Sequence, residues 1–206
     1  MVLTQPTPAC GKPLLEVVEE CLEAGASAIQ LRDKTASDAM LYDLAVKLGE
    51  QTRRYGALLI VNDRFDVALA AGADGVHLGP DDIPVEVVRM HADDRFLIGY
   101  STDDPVAGML AAKAGADYLG VGAVYPTSSK ANVKGEAIGA ERVGLVLDTA
   151  GLPGVGIGGI TPDNAAAVFD TGAGVAVMSA VIDAENPGHV VRRLLAFSSS
   201  TAKPDK

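Results

Sequence analysis

Eight short apolar runs recur along the chain, and segments with helical periodicity separate them. Continuous apolar runs are typical of strands buried on both faces, as in a parallel sheet covered by helices. The pattern therefore predicts eight strand–helix units. The predicted strands are 2–4, 28–31, 58–61, 75–78, 96–99, 118–121, 154–157 and 175–178. The predicted helices are 14–24, 37–55, 64–71, 84–91, 104–114, 140–149, 161–171 and 186–197.

A small-residue triplet with glycine at its centre precedes four of these strands. Gly25, Gly72, Gly115 and Gly172 are the central residues, and each follows a segment with helical periodicity. Glycine adopts the left-handed conformation at a helix end at little cost. We therefore predict that each glycine ends a helix just before a strand begins.

Eight units in 206 residues leave about 26 residues for each, close to the minimum for an α/β fold of the (β/α)8 TIM barrel type. An open doubly wound sheet is the alternative, but it needs a glycine-rich phosphate turn after the first strand. The segment 11–13, Gly-Lys-Pro, is not such a turn. We predict one compact barrel over residues 1–197, with 198–206 as a disordered tail because that segment lacks apolar periodicity.

Charge and composition exclude several classes of partner. Seventeen basic and 27 acidic residues give a net charge of −10, which argues against nucleic-acid binding. No apolar run is long enough to span a membrane, and the first residues lack the pattern of a secretion signal, so a cytoplasmic location is expected. Cys10 and Cys21 have neither metal-ligand nor redox spacing and are interpreted as free thiols.

Polar residues cluster where the predicted strands end, which is where barrel enzymes place their active sites. Gln30, Arg32 and Lys34 alternate along an extended segment and so share one face. Asp63 and Asp82 follow neighbouring strands, and carboxylates in this arrangement suit Mg²⁺. Arginine and lysine side chains at the same mouth would complete a clamp for a diphosphate.

A second anion site is indicated on the other side of the mouth. Gly158 and Gly159 precede a predicted helix start, and the turn after the last strand contains Ser179. Loops after the seventh and eighth strands commonly bind phosphate in this fold. Simpler interpretations remain: Asp63 could belong to a turn, Asp82 could cap a helix, and a pair of glycines could form a tight turn.

His77 lies inside a predicted strand, and we interpret it as a hydrogen-bonded structural histidine rather than a reacting group.

Seven ordered motifs resemble those of the thiamine phosphate synthase family. Each motif alone is weak evidence, but their shared order and spacing cover most of the chain between about residues 14 and 190. The motifs occupy residues 30–34, 61–64, 73–79, 98–102, 120–130, 157–160 and 176–180.

The resemblance implies that a hydroxymethylpyrimidine diphosphate is joined to a thiazole phosphate, with release of pyrophosphate and no protein nucleophile. It also implies Mg²⁺ on Asp63 and Asp82. The residues implied to contact the pyrimidine diphosphate are Gln30, Arg32, Lys34, Asn62, Ser101 and Lys130. Those implied to hold the thiazole phosphate are Thr127, Ser129, Gly159, Met178 and Ser179. Catalysis is assigned to Arg32, Lys34, Ser101 and Lys130.

The sequence departs from the family pattern at Pro80, where glutamine is usual. Proline loses the side-chain contacts of glutamine and stiffens the backbone that leads to Asp82.

Two other functions stay open: a thiazole tautomerase and a non-catalytic paralogue that binds thiazole phosphate. The tautomerase group uses histidine at the position of Ala123, and alanine cannot transfer a proton. The expected partners are small-molecule substrates, and the oligomeric state, including a homo-oligomer, is left open.

Overall fold

Eight parallel strands follow one another around a barrel in the computed structural model, which describes residues 1–127 and 137–198. The strands are β1 (Val2–Leu3), β2 (Ala28–Leu31), β3 (Leu58–Asn62), β4 (Gly75–Leu78), β5 (Leu97–Ser101), β6 (Tyr118–Val121), β7 (Gly154–Ile157) and β8 (Gly174–Ala176). Each strand pairs with the next along the chain. Leu3 donates its N–H to the Val177 carbonyl at 2.8 Å, and Val177 donates to Met1 at 3.1 Å, which joins the first strand to the end of the last.

Helices connect the strands on the outside of the barrel. They are α1 (Leu14–Glu23), α2 (Asp38–Arg54), α3 (Phe65–Ala70), α4 (Val85–His91), α5 (Pro105–Ala114), α6 (Ala140–Ala150), α7 (Ala166–Phe169), α8 (Ser179–Ile182) and α9 (Pro187–Ser198). The predicted α/β barrel is confirmed. Within residues 1–127 and 137–198, no helix has the length and apolar character needed to cross a membrane. The tail predicted from residue 198 lies, from 199 onward, outside the described residues.

The glycine triplets end helices as the sequence predicts. Gly25, Gly72, Gly115 and Gly172 have φ angles of 98°, 63°, 103° and 83°, all in the left-handed region. At the other end of α5, the Asp104 side chain accepts a hydrogen bond from the Val106 N–H at 3.0 Å. Local sequence chemistry therefore sets both ends of this helix.

One predicted helix is much shorter than its periodicity suggests. Residues 161–171 were expected to form a helix, but α7 covers only Ala166–Phe169. The Asn164 side chain accepts a hydrogen bond from the Thr161 N–H at 2.8 Å and donates one to the Gly159 carbonyl at 3.0 Å. These bonds fold residues 159–164 into turns, because side-chain partners replace those that a helix would supply.

Alternation along the strands separates the apolar layer from the polar interior. In β2, Ile29 and Leu31 are fully buried in the hydrophobic core, whereas Gln30 between them lines a cavity inside the barrel. In β4, Val76 packs in the same core and His77 lines the cavity. The interior of the barrel is thereby available for chemistry while aliphatic side chains hold the helices to the sheet.

Two aspartates, each directly after a glycine-centred triplet, accept hydrogen bonds from the backbone at the start of the neighbouring strand. Asp74 accepts the N–H of Leu59 at 2.7 Å, and Asp117 accepts the N–H of Ile98 at the same distance. Each carboxylate precedes its own strand and binds the first residues of the previous one. Neither aspartate was predicted from the sequence to have this role.

We expect Gly75→Ala to destabilise the fold. A Cβ at Gly75 would lie 2.2 Å from the Leu97 carbonyl oxygen, so the paired strands β4 and β5 would have to separate. Overpacking of this kind costs about 1–3 kcal/mol. Gly174→Ala is the matched control, because its Cβ would meet its nearest neighbour, a Val155 methyl, at an ordinary 3.4 Å. Urea unfolding followed by circular dichroism measures both variants, and equal midpoints would contradict the expectation.

The second prediction concerns the two cysteines, which are both free thiols as expected. Cys21 is buried in the core, and this burial raises the pKa of its thiol to about 12. Because the thiolate is the reactive form, the Cys10→Ser variant should resist a disulfide reagent at about pH 8 until it is unfolded. Cys21→Ala is the control: its remaining thiol, Cys10, should react with the reagent while the protein is folded. Rapid labelling of folded Cys10→Ser would show that Cys21 is accessible.

Candidate active site

A cavity of about 880 Å³ opens at the carboxyl ends of the strands. Every predicted site residue within the described ranges lines it. These residues are Gln30, Arg32, Lys34, Asn62, Asp63, Asp82, Ser101, Thr127, Gly159, Met178 and Ser179. Ser129 and Lys130, also predicted from the sequence, lie outside the described residues.

The two carboxylates of the mouth are held by backbone hydrogen bonds. Asp63 has a φ of 63°, a conformation uncommon for residues other than glycine, and its N–H donates to the His77 carbonyl at 2.8 Å. Asp82 accepts the Gly79 N–H at 2.6 Å on Oδ2, and its own N–H returns to the Gly79 carbonyl at 3.3 Å. Pro80 occupies the second position of this turn, which suits proline. The departure from the family pattern therefore fits the loop that carries Asp82.

Asp63 and Asp82 face each other, and the pKa of Asp63 reflects this. Burial raises the pKa of Asp63, and a hydrogen bond to Asp82 and the charge of Asp82 raise it further. The Lys34 ammonium opposes these effects from 3.4 Å. The arrangement concentrates negative charge at one point, where a cation would be stabilised.

The donor set at this point fits Mg²⁺. Within the described ranges there is no group of three or more histidine, cysteine or acidic side chains that could hold a metal. The two facing carboxylates, Asp63 and Asp82, are a donor set that Mg²⁺ can use, because this ion takes one or two protein carboxylates and completes its shell with water and substrate oxygens.

Two cationic residues, Arg32 and Lys34, follow β2 and line the cavity. The Thr4 hydroxyl, completely buried, accepts the Arg32 N–H at 2.9 Å and donates to the Arg32 carbonyl at 3.3 Å. Lys34 lies in the bend that follows, with its ammonium 3.4 Å from Asp63. The Lys34 ammonium is therefore beside the carboxylate pair, and Arg32 lines the same cavity, although the strand itself ends at Leu31.

His77 forms hydrogen bonds with groups on two other strands. Its Nε2 lies 2.8 Å from the Ser101 Oγ, and its Nδ1 lies 3.0 Å from the Tyr118 hydroxyl. A Cβ at Gly99 would lie 2.4 Å from this Nδ1, and one at Gly120 would lie 2.9 Å from the ring carbon Cε1. Hydrogen bonds of His77 were expected from the sequence, but Tyr118 was not identified as a partner because it belongs to no motif.

The opposite side of the mouth is built from glycine backbone. Gly158 and Gly159 have φ angles of 99° and 65°, and a Cβ on either would overlap the neighbouring loop at 2.7 or 2.6 Å. Asn164 holds this turn through its bond to the Gly159 carbonyl, and Tyr125 donates its hydroxyl to the Asn164 carbonyl at 3.0 Å. Asn164 was not predicted; its position three residues after Thr161 was the available signal for a side-chain-closed turn.

The loop after β6 is joined to the same turn. Val124 donates its N–H to the Ile157 carbonyl at 2.9 Å, and Tyr125 donates to Gly158 at 3.0 Å. The chain leaves the described range after Thr127, at the cavity, and by Ile138 it is bonded to the Ala123 carbonyl at 3.0 Å. Thr127 therefore lies at the cavity, and Ile138 is held to the loop after β6.

Comparisons with known proteins identify the family to which this chain belongs. The family model described as thiamine monophosphate synthase matches residues 1–181. A thiamine-phosphate synthase of Natronomonas pharaonis is 48% identical over 188 residues, covering 90% of this chain and 88% of the relative. A thiamine-phosphate synthase of Haloarcula marismortui is 44% identical over 196 residues, covering 94% of this chain and 93% of the relative.

A solved structure shows the same architecture. The thiamine phosphate pyrophosphorylase from Pyrococcus furiosus superposes with a TM-score of 0.87 at 40% identity, covering 98% of this chain and 96% of that one. Fold, sequence and family model agree over nearly the whole chain. The chain therefore belongs to the thiamine monophosphate synthase family, which makes it a transferase of thiamine biosynthesis and an enzyme of the thiamine-phosphate synthase type.

Proposed function

We propose that this enzyme joins 4-amino-2-methyl-5-hydroxymethylpyrimidine diphosphate to thiazole phosphate in a Mg²⁺-dependent reaction that gives thiamine phosphate and pyrophosphate. One observation carries the proposal: a single cavity has a cation-and-carboxylate side and a glycine-and-hydroxyl side. The first side suits a metal-bound diphosphate and the second suits a monophosphate. Two differently charged substrates can therefore meet in one space.

The diphosphate side holds the leaving group. Asp63 and Asp82 would hold Mg²⁺, which when bound supplies stabilisation of the negative charge on the departing diphosphate. Arg32 and Lys34 contribute fixed positive charge beside the same oxygens. Lys34 already lies 3.4 Å from Asp63, so its ammonium needs little reorientation to contact a phosphate placed there.

The reaction is a displacement at the pyrimidine methylene carbon. The bond from this carbon to the diphosphate oxygen breaks, and the electron pair leaves with pyrophosphate. The aminopyrimidine ring supports the positive charge that develops, and the thiazole nitrogen then donates its lone pair to form the new carbon–nitrogen bond. The protein supplies orientation and charge stabilisation rather than a nucleophile.

The monophosphate side orients the thiazole nitrogen. The turn at Gly158 and Gly159 exposes backbone to the cavity, and the Thr127 and Ser179 hydroxyls lie on the same lining. Holding the phosphate at this turn places the rest of the thiazole toward the diphosphate side. Anchoring of this kind makes the second step effectively unimolecular.

The direct test is pyrophosphate release with both substrates, with and without Mg²⁺. We expect release only when both substrates and Mg²⁺ are present. Calorimetry that shows tight thiazole phosphate binding without any turnover would instead support a non-catalytic binding protein and overturn the proposal.

We expect Asp63→Asn to lower Mg²⁺-dependent turnover by about 10²-fold or more, the usual loss for one strong electrostatic stabiliser. Asparagine tolerates the left-handed φ of this position, so the variant removes charge without adding backbone strain. Asp148→Asn, on the exposed outer face of α6, is the matched control. Pyrophosphate release measured across a Mg²⁺ titration decides the outcome, and unchanged turnover in Asp63→Asn would remove the metal assignment.

A further prediction concerns the turn at residues 159–164, where the thiazole phosphate is proposed to bind. Asn164→Ala removes the side chain that closes residues 159–164 and should raise the KM for thiazole phosphate roughly three- to tenfold, the value of about one hydrogen bond. The KM for the pyrimidine diphosphate should stay unchanged. Asn186→Ala is the control, because its side chain accepts the His189 N–H at 2.9 Å at the start of α9, away from the cavity lining. Equal effects of both variants would contradict the assignment.

A further inference from the structure

We propose that Tyr118 is a positioning residue: through His77 it fixes the Ser101 hydroxyl as a hydrogen-bond donor to the molecule bound in the cavity. The identity of that molecule rests on the proposed function, but the direction of the hydrogen bonds does not. The three side chains come from β6, β4 and β5 and form one connected chain.

Strand register explains why these side chains meet. His77 is paired with Gly99, and Gly99 is paired in turn with Tyr118 on its other side. Because Gly99 has no side chain, the imidazole and the phenol ring approach across it, with ring centroids 5.4 Å apart. A Cβ there would lie 2.2 Å from the Tyr118 Cζ. The pairing also places Ser101 beside Gly120, so the imidazole has room to reach the hydroxyl.

The phenol determines which nitrogen of His77 carries the proton. Burial raises the pKa of Tyr118 above its ordinary value, so the hydroxyl keeps its proton. Within the part of the chain that the structure describes, His77 Nδ1 is the hydrogen-bond partner of this hydroxyl. A buried hydroxyl donates its proton where an acceptor is available, and a ring nitrogen can accept only when it carries no proton.

The direction of the remaining bonds follows from this donation. With Nδ1 as the acceptor, neutral His77 has its proton on Nε2 and donates it to the Ser101 Oγ, 2.8 Å away. Ser101 then directs its own proton elsewhere, and its side chain lines the cavity. The hydroxyl is therefore offered to an acceptor atom of the ligand, such as a pyrimidine ring nitrogen or a phosphate oxygen, and not to an amino group.

The same direction excludes another role for the pair. A serine and a histidine at 2.8 Å resemble the nucleophile and base of a covalent mechanism. A base must have an unprotonated nitrogen facing the hydroxyl, whereas the Tyr118 bond places the proton on that nitrogen. Ser101 thus keeps its proton and acts as a donor, which agrees with a displacement that uses no protein nucleophile.

The test is the tautomer of His77 in the ligand-free protein. The chain has three histidines, so long-range ¹H–¹⁵N correlation spectra of histidine-labelled protein above about pH 8 are simple, and the spectrum of His77→Gln assigns the signal. We expect the Nε2–H tautomer in the wild type and a loss of this preference in Tyr118→Phe. Tyr55→Phe is the matched control, since it loses a hydroxyl bonded to Glu19 on the outer surface. An Nδ1–H tautomer in the wild type would overturn the proposal, as would an unchanged tautomer in Tyr118→Phe.

A double-mutant cycle provides the functional readout. Tyr118→Phe should raise the KM for the pyrimidine diphosphate roughly three- to tenfold. In the Ser101→Ala background, the same substitution should have no further effect, because Tyr118 acts through Ser101. Additive effects would show that Tyr118 has only a structural role.

Failure of the proposed function is distinguishable from failure of this inference. Absence of turnover would refute the proposed function. The tautomer of His77 in the wild type would still decide the inference about Tyr118. If Tyr118→Phe does not fold, the wild-type spectrum still decides the direction of the hydrogen bonds: an Nδ1–H tautomer overturns the inference and an Nε2–H tautomer supports it.

Discussion

The polar interior of this barrel depends on glycine backbone that lets side chains of non-adjacent strands meet. Gly99 separates His77 from Tyr118 in the sheet register, and Gly120 lies beside the same imidazole. Any side chain at these glycines would occupy the space of the ring. Each of these glycines therefore leaves room for the imidazole inside the barrel. Aliphatic side chains on the outer face of the strands hold the helices, while two residues of the same core, Ile160 and Val177, also line the cavity.

The positive charges at the cavity are local and oppose the negative net charge of the whole chain. The chain carries a net charge of −10, while the proposed substrates are themselves anions. Asp63 and Asp82 add negative charge at the very point where a diphosphate would bind. In the proposed function, Mg²⁺ and the side chains of Arg32 and Lys34 would have to outweigh the charge of these carboxylates for the diphosphate to bind. In the ligand-free protein, burial and the neighbouring Asp82 already disfavour the charged form of Asp63, and its pKa is raised for this reason.

The barrel and the position of most site residues could be predicted from sequence because both depend on local signals. A glycine such as Gly115 ends a helix through its own backbone, and alternation assigns Gln30 to the interior without knowledge of its neighbours. Tyr118 could not be found this way, since its partner is on another strand and the contact exists only in the final register. Asn164 was missed because its side chain competes with a helix that periodicity alone favours.

The bonds from Asp74 and Asp117 fasten strand starts at the end of the barrel opposite the cavity. The left-handed glycines at the centres of the four triplets lie at that end as well. The residues that hold the strand starts are therefore at the opposite end of the strands from most of the residues that line the cavity. Residues at the mouth of the cavity can therefore change without breaking the hydrogen bonds that hold the strand starts. The same barrel can in this way acquire new substrates while its fold stays stable.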